Sequence, residues 1–125
     1  MTTPATPTDG HVEIDLRPAG AGRFAAIITL HGEHDMATSL DLAHALDTVA
    51  GHVLVDLTPC TFIDSSVIGV LFEAVRDLER DGYQVELVVP PLNAPVVRTL
   101  EIVGLGQRLV VHPRCPHDDL GQQRQ

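Results

Sequence analysis

The sequence predicts an α/β fold, a sheet with a parallel centre and helices packed against it. Three observations predict it. Hydrophobic periodicity switches between strand and helix in the order ββαβαβαβ, and after an opening hairpin helices and strands alternate. Residues 52–57 form a nearly continuous apolar run, the pattern of a strand buried on both faces. The chain has 125 residues and 44% hydrophobic composition, enough for one domain with a proper core, and it shows no internal repeat or interdomain linker.

The elements follow in order. Residues 1–10, rich in threonine with two prolines, read as a disordered leader. Residues 11–17 alternate, with Val12, Ile14 and Leu16 on one face and His11, Glu13 and Asp15 on the other. Residues 18–22 are a Pro/Gly turn, and residues 23–31 are a second strand with Phe24, Ala26, Ile28 and Leu30 on one face, which makes a hairpin. Residues 32–35 are a loop. Thr38-Ser39-Leu40-Asp41 then has the look of a capped helix start, with Leu42, Ala45, Leu46, Val49 and Ala50 at helical spacing and Gly51 at the stop. Past the central strand, a helix over 66–80 turns Val67, Val70, Leu71, Ala74, Val75 and Leu78 inward, and Asp81-Gly82 ends it. A strand over 83–89 closes at Pro90-Pro91. A third helix opens at Asn93, a plausible cap, with Pro95 tolerated in its first turn and Gly104 as its stop. A last strand spans 107–112, and residues 113–125 form a polar tail.

The chain is organised around residues 58–71. Between the central strand and the amphipathic helix lies the polar turn Asp64-Ser65-Ser66. A serine at a helix start can cap it, and it also lies beside backbone N–H groups at the locally positive helix end, which suits an anion. Asp35 reads as a turn or cap residue before the first helix, and Asp64 as a charge matched to the helix end.

Other chemistry is excluded or unsupported. A net charge of −9 argues against a nucleic-acid footprint and against binding to anionic membranes. Cys60 and Cys115 make neither a disulfide framework nor a zinc motif, and Cys60 reads as a small packed hydrophobe. Histidines 11, 31, 34, 44, 52, 112 and 117 lack metal-ligand spacing, so no metal or cofactor is expected. There is no phosphate-binding glycine loop, dinucleotide fingerprint or nucleophile elbow, so no catalytic residue is assigned. With no signal-peptide pattern and no apolar run of membrane-spanning length, a cytoplasmic protein is expected. No long apolar stripe is left over for an obligate dimer, so a monomer is expected.

The segment Val53-Leu54-Val55-Asp56-Leu57 followed by Phe62-Ile63-Asp64-Ser65-Ser66-x-x-Gly69 resembles the STAS domain of bacterial anti-sigma-factor antagonists. Gly32-Glu33-His34-Asp35 is similar to that family's Gly-Glu-Leu-Asp loop, and residues 100–105 are similar to the end of its third helix. The resemblance covers residues 11–112. It implies a mixed four- to five-stranded sheet with helices packed on one side, and a protein that is not an enzyme. It further implies binding to an anti-sigma factor that is a serine kinase, release by phosphorylation of the second serine, here Ser66 rather than Ser65, and resetting by a serine phosphatase. Asp35, Asp64, Ser65, Ser66 and Val67 would form the partner surface. Two positions depart from the family pattern. Val67 replaces a glycine and stiffens the turn, and His34 replaces a leucine and puts a titratable group by the site. A STAS scaffold without phosphorylation, or a module binding a small anion or nucleotide at the same helix start, is the alternative. A serine-nucleophile enzyme lacks a positioned base and oxyanion motif.

Overall fold

The computed structural model describes residues 10–18, 20 and 22–116. The expected leader, up to residue 9, and the tail beyond residue 116 lie outside the described residues. Ten elements follow one another: β1 (His11–Leu16), β2 (Ala26–His34), α1 (Met36–Asp47), β3 (Val53–Asp56), β4 (Cys60–Ile63), α2 (Ser65–Arg80), β5 (Val85–Val88), α3 (Ala94–Val103), α4 (Leu105–Arg108) and β6 (Val110–His112).

The sheet is mixed, as expected. Five strands run in the order β1-β2-β3-β5-β6, and β4 pairs with β2 beside this path as a sixth. The opening hairpin forms as predicted, with β1 antiparallel to β2 from His11↔His31 to Leu16↔Ala26. All other pairings are parallel, since α1, α2 and α3 provide the crossovers.

One core lies between the sheet and α1, α2 and α3. Ala26, Ile28 and Leu30 of β2, Val53 and Val55 of β3, and Val85 and Leu87 of β5 meet Leu42, Leu46, Val67, Leu71, Val75 and Val96 from the helices. The period-2 alternation sends Leu54 and Val88 to the opposite face, where they pack with Phe24. Phe24 was expected to share a face with Ala26 and Ile28. It precedes the strand, which starts at Ala26, so strand alternation does not govern it. The opposite face also carries an ion cluster. Buried Glu86 takes hydrogen bonds from both Arg23 Nη atoms, one of them at 2.9 Å, and lies 2.7 Å from His112 Nε2. These partners, Arg23 foremost, hold the Glu86 carboxyl below its usual range against the opposing effect of burial.

Four differences from the sequence reading have identifiable causes. Residues 32–34, expected as loop, extend β2 because β4 offers them a partner, through a bulge between Gly32 and Glu33. The first helix starts at Met36, two residues early, because Asp35 caps it; it ends at Asp47, leaving Val49 buried and Ala50 exposed. The last strand shortens to Val110–His112 because α4 takes residues 105–108, where Arg108 grips Glu79 of α2 through two bonds of 2.6 and 3.1 Å. Asn93 stands at the N-cap position of α3 but makes no side-chain cap; its Nδ2 donates to the Cys60 carbonyl at 2.5 Å and ties the α3 loop to β4. Gly104 does end α3, in the left-handed conformation at φ 74° that a side chain would resist.

Candidate functional site

Parallel pairing of β2 with β4 is what builds the site. His34 and Ile63 end these strands side by side, and each is followed by an aspartate and then a helix. The Asp64 N–H donates to the His34 carbonyl at 3.1 Å, which locks the two starts together. Asp35 and the distant turn Asp64-Ser65-Ser66 therefore converge at one end of the sheet.

Both aspartates are N-caps. Asp35 Oδ1 accepts the Ala37 N–H at 2.9 Å, and the Asp35 N–H donates to Thr38 Oγ1 at 3.2 Å, completing a capping box. At the other start, Asp64 Oδ1 accepts three hydrogen bonds: from the Ser66 N–H at 3.0 Å, the Val67 N–H at 3.3 Å and the Ser66 hydroxyl at 2.6 Å. A serine was a reasonable candidate for this cap. The carboxylate takes the place instead, being the better acceptor at a positive helix end. The N–H groups that looked available to an anion are occupied by Asp64.

Ser66 is half-buried and Ser65 is exposed. Val67, expected on the partner surface, has no exposed side-chain area and packs in the core. It cannot touch a partner through its side chain, so its β-branch stiffens the helix start from below. His34 is also fully buried. Its Nε2–H donates to the His31 carbonyl at 2.9 Å, so Nδ1 is the bare nitrogen and accepts from the Thr38 hydroxyl at 3.0 Å. Burial lowers its pKa. It is a neutral support beneath the α1 cap rather than a charge on the surface.

The sequence reading passed over several residues around these starts. Met36, Leu40, Phe62 and Leu92 are exposed apolar side chains, with Met36 and Leu92 at 74% and 96%. Their signal was present, since Leu40 falls outside the buried stripe of Leu42, Ala45 and Leu46, but a lone off-stripe leucine is common on surfaces. Gly69, one turn after Ser66, is exposed, and a Cβ placed there would meet nothing within 4 Å. Among the described residues no group of His, Cys, Asp and Glu could hold a metal ion, and no helix is long and apolar enough to cross a membrane. The Cys60 thiol is buried in the core as expected, and burial pushes its pKa up to about 11.

Comparison with known proteins places this arrangement. The family described as "Mlab, STAS domain" matches residues 20–112. No curated protein sequence matches. Among solved structures, an anti-sigma factor antagonist from Mycobacterium paratuberculosis superposes with a TM-score of 0.72 at 18% identity, covering 88% of this chain and 91% of that one. The anti-sigma factor antagonist SpoIIAA in its unphosphorylated form gives 0.64 at 19% identity, covering 84% and 90%. The Bacillus cell fate determinant SpoIIAA in the phosphorylated form gives 0.56 at 21%, covering 79% and 90%. At these identities the structures speak for the fold, and the family match over most of the chain speaks for membership. With its mixed sheet, its helices on one face and its two aspartate-capped starts side by side, the chain belongs to the STAS domain family.

Proposed function

We propose that this protein is an anti-sigma-factor antagonist, a non-enzymatic cytoplasmic binding module. It binds a serine-kinase anti-sigma factor as a monomer, through the surface formed by Asp35, Asp64, Ser65 and Ser66, and phosphorylation of Ser66 releases it. A serine phosphatase restores the binding form. The observation that carries the reading is the Ser66 hydroxyl itself, on a half-buried residue at the second position of α2 and hydrogen-bonded to Asp64. Exposed Met36, Phe62 and Leu92 at the same end of the sheet give a partner apolar surface to bury.

Phosphoryl transfer from ATP forms the Ser66 Oγ–P bond, breaks the bond to the γ-phosphorus and releases ADP. The hydroxyl proton leaves to a base on the kinase side. The product loses the donor that held Asp64 and gains about −1.5 to −2 charges at neutral pH. That dianion and the Asp64 carboxylate then compete for the same two N–H groups. One of the two anions must turn outward, and an interface fitted to the hydroxyl meets added charge and bulk. Loss of several kcal/mol across such an interface is roughly 100-fold or more in affinity. An anion- or nucleotide-binding module is less favoured, because its ligand would first have to displace Asp64.

The test is phosphorylation by the candidate kinase, followed by mass spectrometry and affinity measurement. The phosphate is expected on Ser66, with none on Ser65. Ser66→Asp is expected to keep its fold and lose roughly 100-fold in binding, while Ser66→Ala binds and resists release by ATP. Equal binding of Ser66→Asp and the parent, or equal labelling of Ser66→Ala, would refute the switch.

A further inference from the structure

We propose that the groove between α1 and α2 seats an amphipathic helix of the protein partner, apolar at the end nearest Ser66 and carrying arginine or lysine at the other. The inference deepens the binding reading above and rests on it only for the identity of the partner.

The groove is about 260 Å³, with Ala43, Val70 and Ala74 among the apolar residues lining it. Four carboxylates, Asp47, Glu73, Asp77 and Asp81, also line it, together with His44 and no arginine or lysine. All four are exposed. Arg80 meets Asp77 at 3.3 Å in an exposed pair, which a partner's cation can replace with little loss. The two ends of the groove differ in chemistry. Beyond Ala43, toward the helix starts, α1 continues into Leu40 and Met36, which are 67% and 74% exposed. On α2 the same stripe runs from Ser66 through Gly69 to Glu73 and Asp77, steps of three and four residues.

Gly69 is the independent observation. Glycine inside a helix is unfavourable relative to alanine, and here neither a positive φ nor a close contact requires it. Its absence of side chain leaves bare backbone between the two helix starts and the acidic end, so another backbone can approach closely. An apolar floor, a bare glycine and a one-signed rim fit the mode in which a partner helix lies in a groove by its apolar face, with its charges fixing direction.

The probe is a synthetic, end-blocked helical peptide of about four turns, with leucines at helical spacing in one half and arginines in the other. It is titrated into the 15N-labelled full chain. Amide shifts are expected on Leu40, Ala43, Val70, Glu73 and Asp77. The double variant Glu73→Lys/Asp77→Lys, or a peptide with glutamates for arginines, should weaken binding at least tenfold, and added salt should weaken the parent pair. Circular dichroism checks that the variant is folded. Absence of shifts, shifts mapping to other faces, or unchanged affinity after charge reversal would overturn the groove. Ser66 labelling by the kinase separates the two claims. Labelling without groove binding leaves the switch and removes the groove, and groove binding without labelling does the reverse.

Discussion

The starts of α1 and α2 are built alike and finished differently. Each follows the end of a parallel strand, each is capped by an aspartate, and the strands holding them are paired. At α1 the third helical residue is Thr38, whose hydroxyl is consumed between the Asp35 N–H and the buried His34 ring. At α2 the third residue is Val67, turned wholly into the core, and the hydroxyl sits one position earlier on Ser66. Shifting the hydroxyl by one position rotates it about 100° around the helix, away from the strand end beneath and onto its own Asp64 cap. At α1 the hydroxyl is tied to both the cap and the buried ring beneath it. At α2 it is tied to its own cap, Asp64.

The largest effects belong to what the two helices share. Leu42 of α1 and Leu71 of α2 are both fully buried in one core. Truncating either to alanine should cost about 2–5 kcal/mol, measured by urea unfolding at constant m-value. A difference between them of more than about 2 kcal/mol would mean that the helices are not equally anchored.

The caps come next. Asp64→Ala removes the acceptor of three hydrogen bonds, two of them from the backbone, and should cost about 1–2 kcal/mol. Asp35→Ala should cost about 1 kcal/mol or less, because Thr38 still holds the Asp35 N–H. Reversal of that order in denaturant midpoints would show that the capping box, not the carboxylate, governs these starts.

Much of this was legible in the sequence. Alternation in residues 26–30 and the run at 53–57 gave the buried strands, and the Asp-Ser-Ser turn before an amphipathic stripe marked the site. What failed was non-local. Cys60-Thr61-Phe62-Ile63 is four residues with no buried alternation of its own, and it is a strand only because Gly32–His34 is there to pair with it. Without that pairing, residues 32–35 read as a loop and Asp35 has no reason to stand beside Asp64. Which of three adjacent polar residues caps α2 was likewise undecidable locally, since all three are good caps.

Acid should separate the starts further. Burial puts the His34 pKa below its unfolded value of about 6.5, so its neutral form stabilises the fold above that pH, and the contribution is lost as pH falls through the lower folded value. Protonation makes Nδ1 a donor, and the Thr38 hydrogen must then turn to the Asp35 carbonyl at 3.2 Å. Hydrogen bonding to the His31 and His11 backbones, and more weakly the Asp35 carboxylate, partly favours the charge, while burial foremost and the His11 charge oppose it. Glu86 adds a second loss at lower pH. Its carboxylate is stabilised by Arg23 and His112, and that contribution, present above about pH 4.3, disappears as pH falls through its depressed folded value. Urea midpoints should therefore fall in two steps below about pH 6.5, and His34→Gln should remove the first step only. A parent-like first step in His34→Gln would exclude His34 as its source.

The smallest effect is the most informative about Ser66. Its hydroxyl donates to Asp64 at 2.6 Å, a bond short enough to suggest a structural role. Yet Asp64 Oδ1 keeps two backbone N–H groups when the hydroxyl is removed, and at this half-exposed position water can replace the lost donor. Ser66→Ala should therefore change stability by less than about 0.5 kcal/mol. Thr38→Ala, the matched substitution at the other start, strands the buried His34 Nδ1 and the Asp35 N–H together and should cost about 1–2 kcal/mol. The pair is read in one urea series at pH 7 with m-values held equal. If Ser66→Ala costs as much as Thr38→Ala, the hydroxyl of α2 is as structural as that of α1, and a modification that removes its hydrogen would damage the fold as well as the interface. If it costs little, Ser66 can lose its hydrogen bond to a phosphate while α2 stays capped, which is what a reversible switch at a helix start requires.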